Sequence, residues 1–246
     1  MFRRTAIFIY GIVSYAVFFA TFLYAVGFIG NFGVPRTLDA GPSRPFVESL
    51  LIDLGLLALF ALQHSVIARP AFKRWFTRLV PEPAERSTYV LASSLALIAM
   101  FALWQPLGGV VWAIDDATLR VALWSLFAFG WLLVLVSTFL INHFDLFGLR
   151  QVWLQLLGRP YTQLPFGTPG PYRYVRHPLY VGWFFAFWST PTMTVSHLVF
   201  AVMTTAYILV AIQLEERDLV AHFGQTYRGY RKRVPMLIPF MRRNRI

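Results

Sequence analysis

Apolar residues run along this chain in long, nearly unbroken blocks, separated by polar stretches rich in proline and arginine. Four blocks reach the ~20 residues that a helix needs to cross a bilayer core. They run from Thr5 to Ile29, Phe46 to Ala68, Thr88 to Leu107 and Ala117 to Ile141. Pro35, Pro42 and Pro45 make the first connection irregular, and Pro81 and Pro83 break the second. Asp115 and Asp116 precede the fourth block, where negative charge suits a helix N-terminus. Two shorter blocks, Leu179–Ser189 and Val195–Leu214, flank Pro191. The first would rise only ~16 Å as a helix, about half a bilayer core. The pair predicts a helical hairpin with a short or re-entrant first arm. Residues 142–178 are mixed, and Trp153, Leu154, Leu156 and Leu157 predict a short interfacial helix and a loop.

The expected fold is therefore an all-α integral membrane protein. It has four full transmembrane helices plus a C-terminal helical hairpin, five or six membrane helices in all. We read one membrane domain over 1–246, with a four-helix part at 1–141 and a C-terminal module at 142–246. Composition agrees: 57% of residues are hydrophobic and 13% charged, about half the charge of an ordinary soluble domain. Arg3 and Arg4 precede the first block like the start of a signal peptide. That block is too long for a signal core and lacks a clean small-residue cleavage site, so a retained helix is expected. The absence of cysteine excludes disulfides, a cysteine nucleophile and cysteine-ligated metal sites.

The net charge of +11 would suggest nucleic acid until its location is read. Arg3 and Arg4; Arg69, Lys73, Arg74, Arg78 and Arg86; Arg150, Arg159, Arg173 and Arg176; and Arg217, Arg228, Arg231, Lys232, Arg233, Arg242, Arg243 and Arg245 all fall on one side of the expected membrane. Only Arg36, Arg44 and Arg120 fall opposite. The positive-inside rule then puts both termini in the cytoplasm. The basic surface suits anionic headgroups better than DNA, so the lipid bilayer is the expected partner and nucleic acid is not.

Polar groups within or beside the blocks are the candidates for chemistry. His64, in Gln63-His64-Ser65, sits near the cytoplasmic end of the second block. An ionisable group at that depth is either functional or a packing histidine bonded to a neighbour. Asp53 reads as packing. Asn142, His143 and Asp145 cluster where the fourth block ends, either as an acid/base pair or as caps and anchors. His197 reads as structural and His222 as solvated. No His-x-x-His or His-Glu-x-x-His spacing suggests a metal, a second axial ligand for haem is missing, and no Gly-x-Gly-x-x-Gly follows a strand. The conspicuous remainder is Arg176-His177-Pro178-Leu179-Tyr180, the apolar hairpin, Glu215-Glu216 and then Phe223-Gly224…Tyr227…Tyr230…Val234-Pro235. A hairpin would bring its two polar ends to one membrane face, where a polar pocket could form. Taken singly, His177-Pro178 is a helix start, since proline suits the first position, and the glutamate pair a solvated helix end.

Together these residues resemble the C-terminal module of the isoprenylcysteine carboxyl methyltransferase and phospholipid methyltransferase-like membrane enzymes, over about 165–240. Leu62-Gln63-His64-Ser65, Ala68-Arg69-Pro70-Ala71-Phe72-Lys73, Glu85-Arg86-Ser87-Thr88-Tyr89-Val90 and Phe144-Asp145-Leu146-Phe147-Gly148-Leu149-Arg150-Gln151 are similar to the bacterial methanethiol S-methyltransferases and their NnrU-like relatives, across most of the chain. The resemblance implies S-adenosyl-L-methionine as methyl donor, a small apolar thiol as acceptor and dimethyl sulfide as product. It implies a cofactor pocket lined by Tyr172, His177, Pro178 and Tyr180, under a loop from Leu164 to Gly167. Glu215 or Glu216 would bind the cofactor's polar end, with Glu216 favoured. His64, His143, Asp145 and Tyr180 are the candidates for activating the thiol. The carboxyl methyltransferases hold a substrate carboxylate with an arginine about one turn before the glutamate pair. Here that turn reads Val210-Ala211-Ile212-Gln213, which points to a neutral or thiol acceptor. Other readings are a methyltransferase for a different thiol or a lipid amine, and a non-catalytic NnrU-like membrane protein.

Overall fold

The computed structural model describes residues 1–42 and 44–240; Arg242, Arg243 and Arg245 of the basic C-terminus lie outside them. Among the described residues, five helices are long and apolar enough to cross a membrane. They are α1 (Phe2–Gly30), α2 (Phe46–Ile67), α4 (Glu82–Leu103), α5 (Ala117–Leu140) and α9 (Val195–Phe223). Even 22 residues rise about 33 Å as helix, enough for a core of about 30 Å. The chain is a helical integral membrane protein. The shorter helices are α3 (Pro70–Phe76), α6 (His143–Leu146), α7 (Leu149–Leu156), α8 (Pro178–Trp188) and α10 (Gln225–Arg233), with a 3-10 turn at Gly170–Arg173.

Three boundaries differ from expectation. Helix α4 begins at Glu82 instead of Thr88, with Pro83 inside its first turn. Proline is tolerated there because the first amides of a helix have no intrahelical partner. The same helix stops at Leu103. Pro106 disfavours helical backbone at Gln105, and the freed Gln105 N–H donates to the buried Asp53 Oδ1 at 2.8 Å. Helix α9 runs past Leu214 to Phe223, so the glutamate pair lies within the helix and not beyond its end. At the start of α5 the expected cap is present, with Asp116 Oδ1 accepting from Leu119 N at 2.8 Å. Unforeseen is a small ladder of β1 (Val110–Ala113) and β2 (Thr192–Thr194).

The chain divides into two compact units. The first comprises 1–111, 142–162 and 193–199. In it α1 packs against α4 and α7, and α2 against α4. Asp39 organises its first loop: it receives hydrogen bonds from Asn31 Nδ2 and Thr194 Oγ1, and lies 3.3 Å from His197 Nδ1. His197 is fully buried there.

The second unit comprises 112–141, 163–192 and 200–246. Its centre is the antiparallel pair α5 and α8. Gly130 and Gly182 let the two backbones touch: a Cβ on Gly182 would lie 2.7 Å from Gly130 O and 2.9 Å from Val134 N. Trp131 and Trp183 meet edge to face beside this contact, at 5.1 Å between centroids. At one end of the pair, Ile114 N donates to Pro191 O over 2.9 Å. At the other, Gly170 packs against Leu140.

Candidate cofactor site

The chain reaches α8 through a sharp corner. His177 is its N-cap, with φ −127° and ψ 62°, and Pro178 takes the first helical position. A proline there presets the helical φ and removes one unpaired amide. The two preceding amides bond to the C-terminal segment: Arg176 N to Pro235 O at 2.9 Å and His177 N to Met236 O at 3.2 Å. The corner therefore points its side chains toward α9.

There the two glutamates do different work. Glu216 Oε1 accepts from Arg176 Nε at 2.6 Å and lies 3.1 Å from His177 Nε2. A carboxylate only accepts, so His177 carries a proton on Nε2, and its Nδ1 faces the other way. The side chains of Arg176 and Glu216 are 4% and 7% exposed. Arg176 Nη1 also donates to Arg231 O at 3.1 Å and Val234 O at 2.7 Å. Glu215, by contrast, has a side chain 44% exposed, with Oε2 3.8 Å from His177 Nδ1. Tyr180 Oη donates to that oxygen at 3.0 Å.

Aromatic rings line the same region. Phe166 packs against Phe223, Tyr227 and Tyr230 with centroids 5.2, 5.8 and 5.4 Å away. Tyr230 Oη donates to Tyr172 O at 2.6 Å. Burial, aided by the Glu215 charge, raises the Tyr172 hydroxyl well above the ordinary tyrosine value. Burial raises Tyr227 likewise, and Tyr230 to about 12. All three are neutral donors at physiological pH. Leu164 and Gly167 lie on the irregular stretch before the 3-10 turn.

All eight expected cofactor-site residues fall in the second unit; His177, Tyr180, Glu215 and Glu216 are in direct contact there, with Pro178 between the first two and Leu164, Gly167 and Tyr172 on the preceding segment. The remaining catalytic candidates lie in the first unit, each among its own partners. His64 Nε2 is 2.9 Å from Tyr89 Oη, and Nδ1 is 3.2 Å from Ser93 Oγ. His143, 2% exposed, lies 2.8 Å from Tyr15 Oη through Nε2. Burial lowers its pKa. Asp145 Oδ1 accepts from Arg150 Nη1 at 2.9 Å, and Tyr161 Oη donates to Oδ2 at 3.3 Å.

The match to known proteins covers the same ground. The isoprenylcysteine carboxyl methyltransferase (ICMT) family model matches residues 131–221, from α5 through the glutamate pair. A methanethiol S-methyltransferase of Crocosphaera subtropica is 60% identical over 97% of this chain and 93% of its own. The chain belongs to the methanethiol S-methyltransferase family. Another member, from Mycobacterium tuberculosis, is 51% identical over 98% of this chain and 99% of its own. Nurim of Bos taurus is 32% identical over 74% of this chain and 72% of its own. No solved structure matches.

Family membership places the Arg176-to-Tyr180 corner and the glutamate pair in context, but within that motif the sequence assigns Arg176 itself no partner beyond its place among the membrane-face cations. It is instead buried against Glu216. The signal was available in its position directly before His177-Pro178, which forces it to the same side of the corner as α9. The clustering of Phe166 with Tyr227 and Tyr230 had no local signal, since it joins a loop to a helix far along the chain.

Proposed function

We propose that this chain methylates the sulfur of methanethiol, with S-adenosyl-L-methionine as donor and dimethyl sulfide as product. The observation that carries the reading is the cluster of His177, Tyr180 and the half-exposed Glu215 in a chain 60% identical to a named methanethiol S-methyltransferase. When bound, the cofactor supplies a methyl group on a cationic sulfur that departs as a neutral thioether.

The residues fit such a group. Glu215 offers an accessible carboxylate for the cofactor's ammonium or ribose hydroxyls, braced by Tyr180. The sequence favoured Glu216 for this contact, but Glu216 is already engaged by Arg176 and His177, so we assign the cofactor's polar end to Glu215. Tyr172 and the rings around Phe166 suit an adenine and tolerate a cation. Leu164 to Gly167 close over them, and Pro178 holds the corner. Of the candidates for activating the thiol, Tyr180 lies in this unit, and His64, His143 and Asp145 lie in the first. The pocket opens to the cytoplasm of a bacterial inner membrane, with both termini on that side. The test is incubation of the purified protein with S-adenosyl-L-methionine and methanethiol, with dimethyl sulfide measured in the headspace. Cofactor binding without thiol methylation would overturn the acceptor; absence of cofactor binding would overturn the whole reading.

A further inference from the structure

The polar end of S-adenosyl-L-methionine is a zwitterion, an ammonium beside a carboxylate. Glu215, assigned above to the ammonium, repels the carboxylate at the same time. Taking that anion out of water with no cation beside it is costly. The second unit therefore needs a positive group near the glutamate pair with donors left to give.

Arg176, His177 and Arg231 all reach Glu216. The Arg176 side chain is 4% exposed and already holds Glu216 Oε1 and the carbonyls of Arg231 and Val234. His177 gives its Nε2 proton to Glu216. Arg231 differs from both. Its side chain is 40% exposed, and its Nη1 stands 3.7 Å from Glu216 Oε2, beyond ordinary hydrogen-bonding distance. Among the described residues no hydrogen bond occupies its guanidinium. Arg176 already balances the Glu216 charge at 2.6 Å, so Arg231 brings a surplus cation to the pair. Its root is held firmly. Arg231 O accepts from Arg176 Nη1 at 3.1 Å, and one residue earlier Tyr230 Oη donates to Tyr172 O at 2.6 Å. Helix α10 is thus pinned to the candidate cofactor site beside this side chain. A guanidinium presents a planar fork of donors that matches a carboxylate.

We propose that Arg231 holds the carboxylate of the cofactor's amino-acid end while Glu215 holds its ammonium. The proposal rests on the cofactor reading above and names a contact within it. Two fixed groups of opposite charge then recognise a zwitterion. A ligand that lacks the carboxylate leaves the Arg231 fork without its partner and binds less tightly.

The test is calorimetry on detergent-purified full-length protein with two ligands. One is S-adenosyl-L-methionine. The other is its decarboxylated form, which keeps the ammonium, sulfonium, ribose and adenine. Wild type should bind the first about 10–100-fold more tightly, the range expected of hydrogen bonds to a charged group. Arg231→Gln should lose that factor for S-adenosyl-L-methionine and almost nothing for the decarboxylated ligand, so that the two affinities converge. Lys232→Gln removes the neighbouring charge, which faces another side of α10, and should keep the wild-type preference. Equal affinity of wild type for the two ligands overturns the proposal. So does an equal loss on both in Arg231→Gln, a preference left intact there, or one lost as fully in Lys232→Gln. Should Arg231→Gln fail to fold, Arg231→Lys, which keeps the charge without the fork, enters the same comparison. Its preference should fall below that of wild type, and an unchanged preference overturns the proposal. Wild-type protein that binds neither ligand refutes the underlying cofactor reading, a result visible before any variant is made.

Discussion

Arg176 and Glu216 form a buried ion pair across the second unit, Nε to Oε1 at 2.6 Å. The same guanidinium holds two carbonyls of the C-terminal segment, at Arg231 and Val234. Removing one member leaves the other charge buried without its partner, which costs about 3–5 kcal/mol. Arg176→Ala should lower the thermal midpoint in detergent and expose residues 225–240 to protease. Arg176→Lys should rescue only part of this, since a lysine ammonium lacks the planar fork that reaches all three oxygens. A midpoint unchanged in both variants would refute the clamp.

Glu215 should behave differently from its neighbour. Its carboxylate is half exposed and accepts a hydrogen bond from Tyr180. Glu215→Gln is expected to weaken S-adenosyl-L-methionine binding about tenfold or more, consistent with ~1.5–3 kcal/mol for a hydrogen bond to a charged group. Its thermal midpoint should stay near wild type. Calorimetry alongside thermal unfolding separates the two effects; a stability loss with intact cofactor affinity would exchange the roles assigned to the pair.

The α5–α8 contact predicts an intolerance. A Cβ at Gly182 would meet backbone atoms within 2.7–2.9 Å, and backbone cannot swing aside as a side chain can. Gly182→Ala should destabilise by about 1–3 kcal/mol and, by displacing α8, also lower cofactor affinity. Unchanged unfolding and binding would show that the helices separate freely.

His143 should give the first unit a pH dependence. Burial lowers its folded-state pKa below the usual ~6.5. The folded protein then holds fewer protons than the unfolded chain between those two values. Stability contributed by neutral His143 is full above about pH 6.5 and declines as pH falls toward the folded pKa. Thermal midpoints from pH 8 to 5 should fall less steeply in His143→Gln than in wild type. Parallel curves would contradict this.

Much of the architecture was legible because lipid imposes one simple demand: long apolar helices. Phe46 and Ala117 begin their helices where the pattern put them. The short arm at α8 followed from length alone, and the His177-Pro178 corner from the helix-start preference of proline. Other features depend on who meets whom across the fold. Arg176 looks like any other arginine until α9 brings Glu216 to it. His64 finds Tyr89 only when α4 packs beside α2. Pro83 was ambiguous, since the same residue breaks a helix from inside and opens one from its first turn. The β1–β2 ladder was too short to register as a pattern.

The shortness of α8 has a consequence for which molecules this site meets. Gly170 lies at the Leu140 end of α5, and Gly182 meets Gly130 near its middle. The His177 corner therefore sits on the order of 8 Å inside the end of α5, by helical rise. An acceptor that reached the corner from the bilayer side would have to dissolve in hydrocarbon first. A neutral alkyl thiol could do so, while an amino-acid thiol, carrying fixed charges, could not without a large loss of hydration. Along that route acceptors would be sorted by solubility before any side chain touched them, and a thioether product could leave the same way.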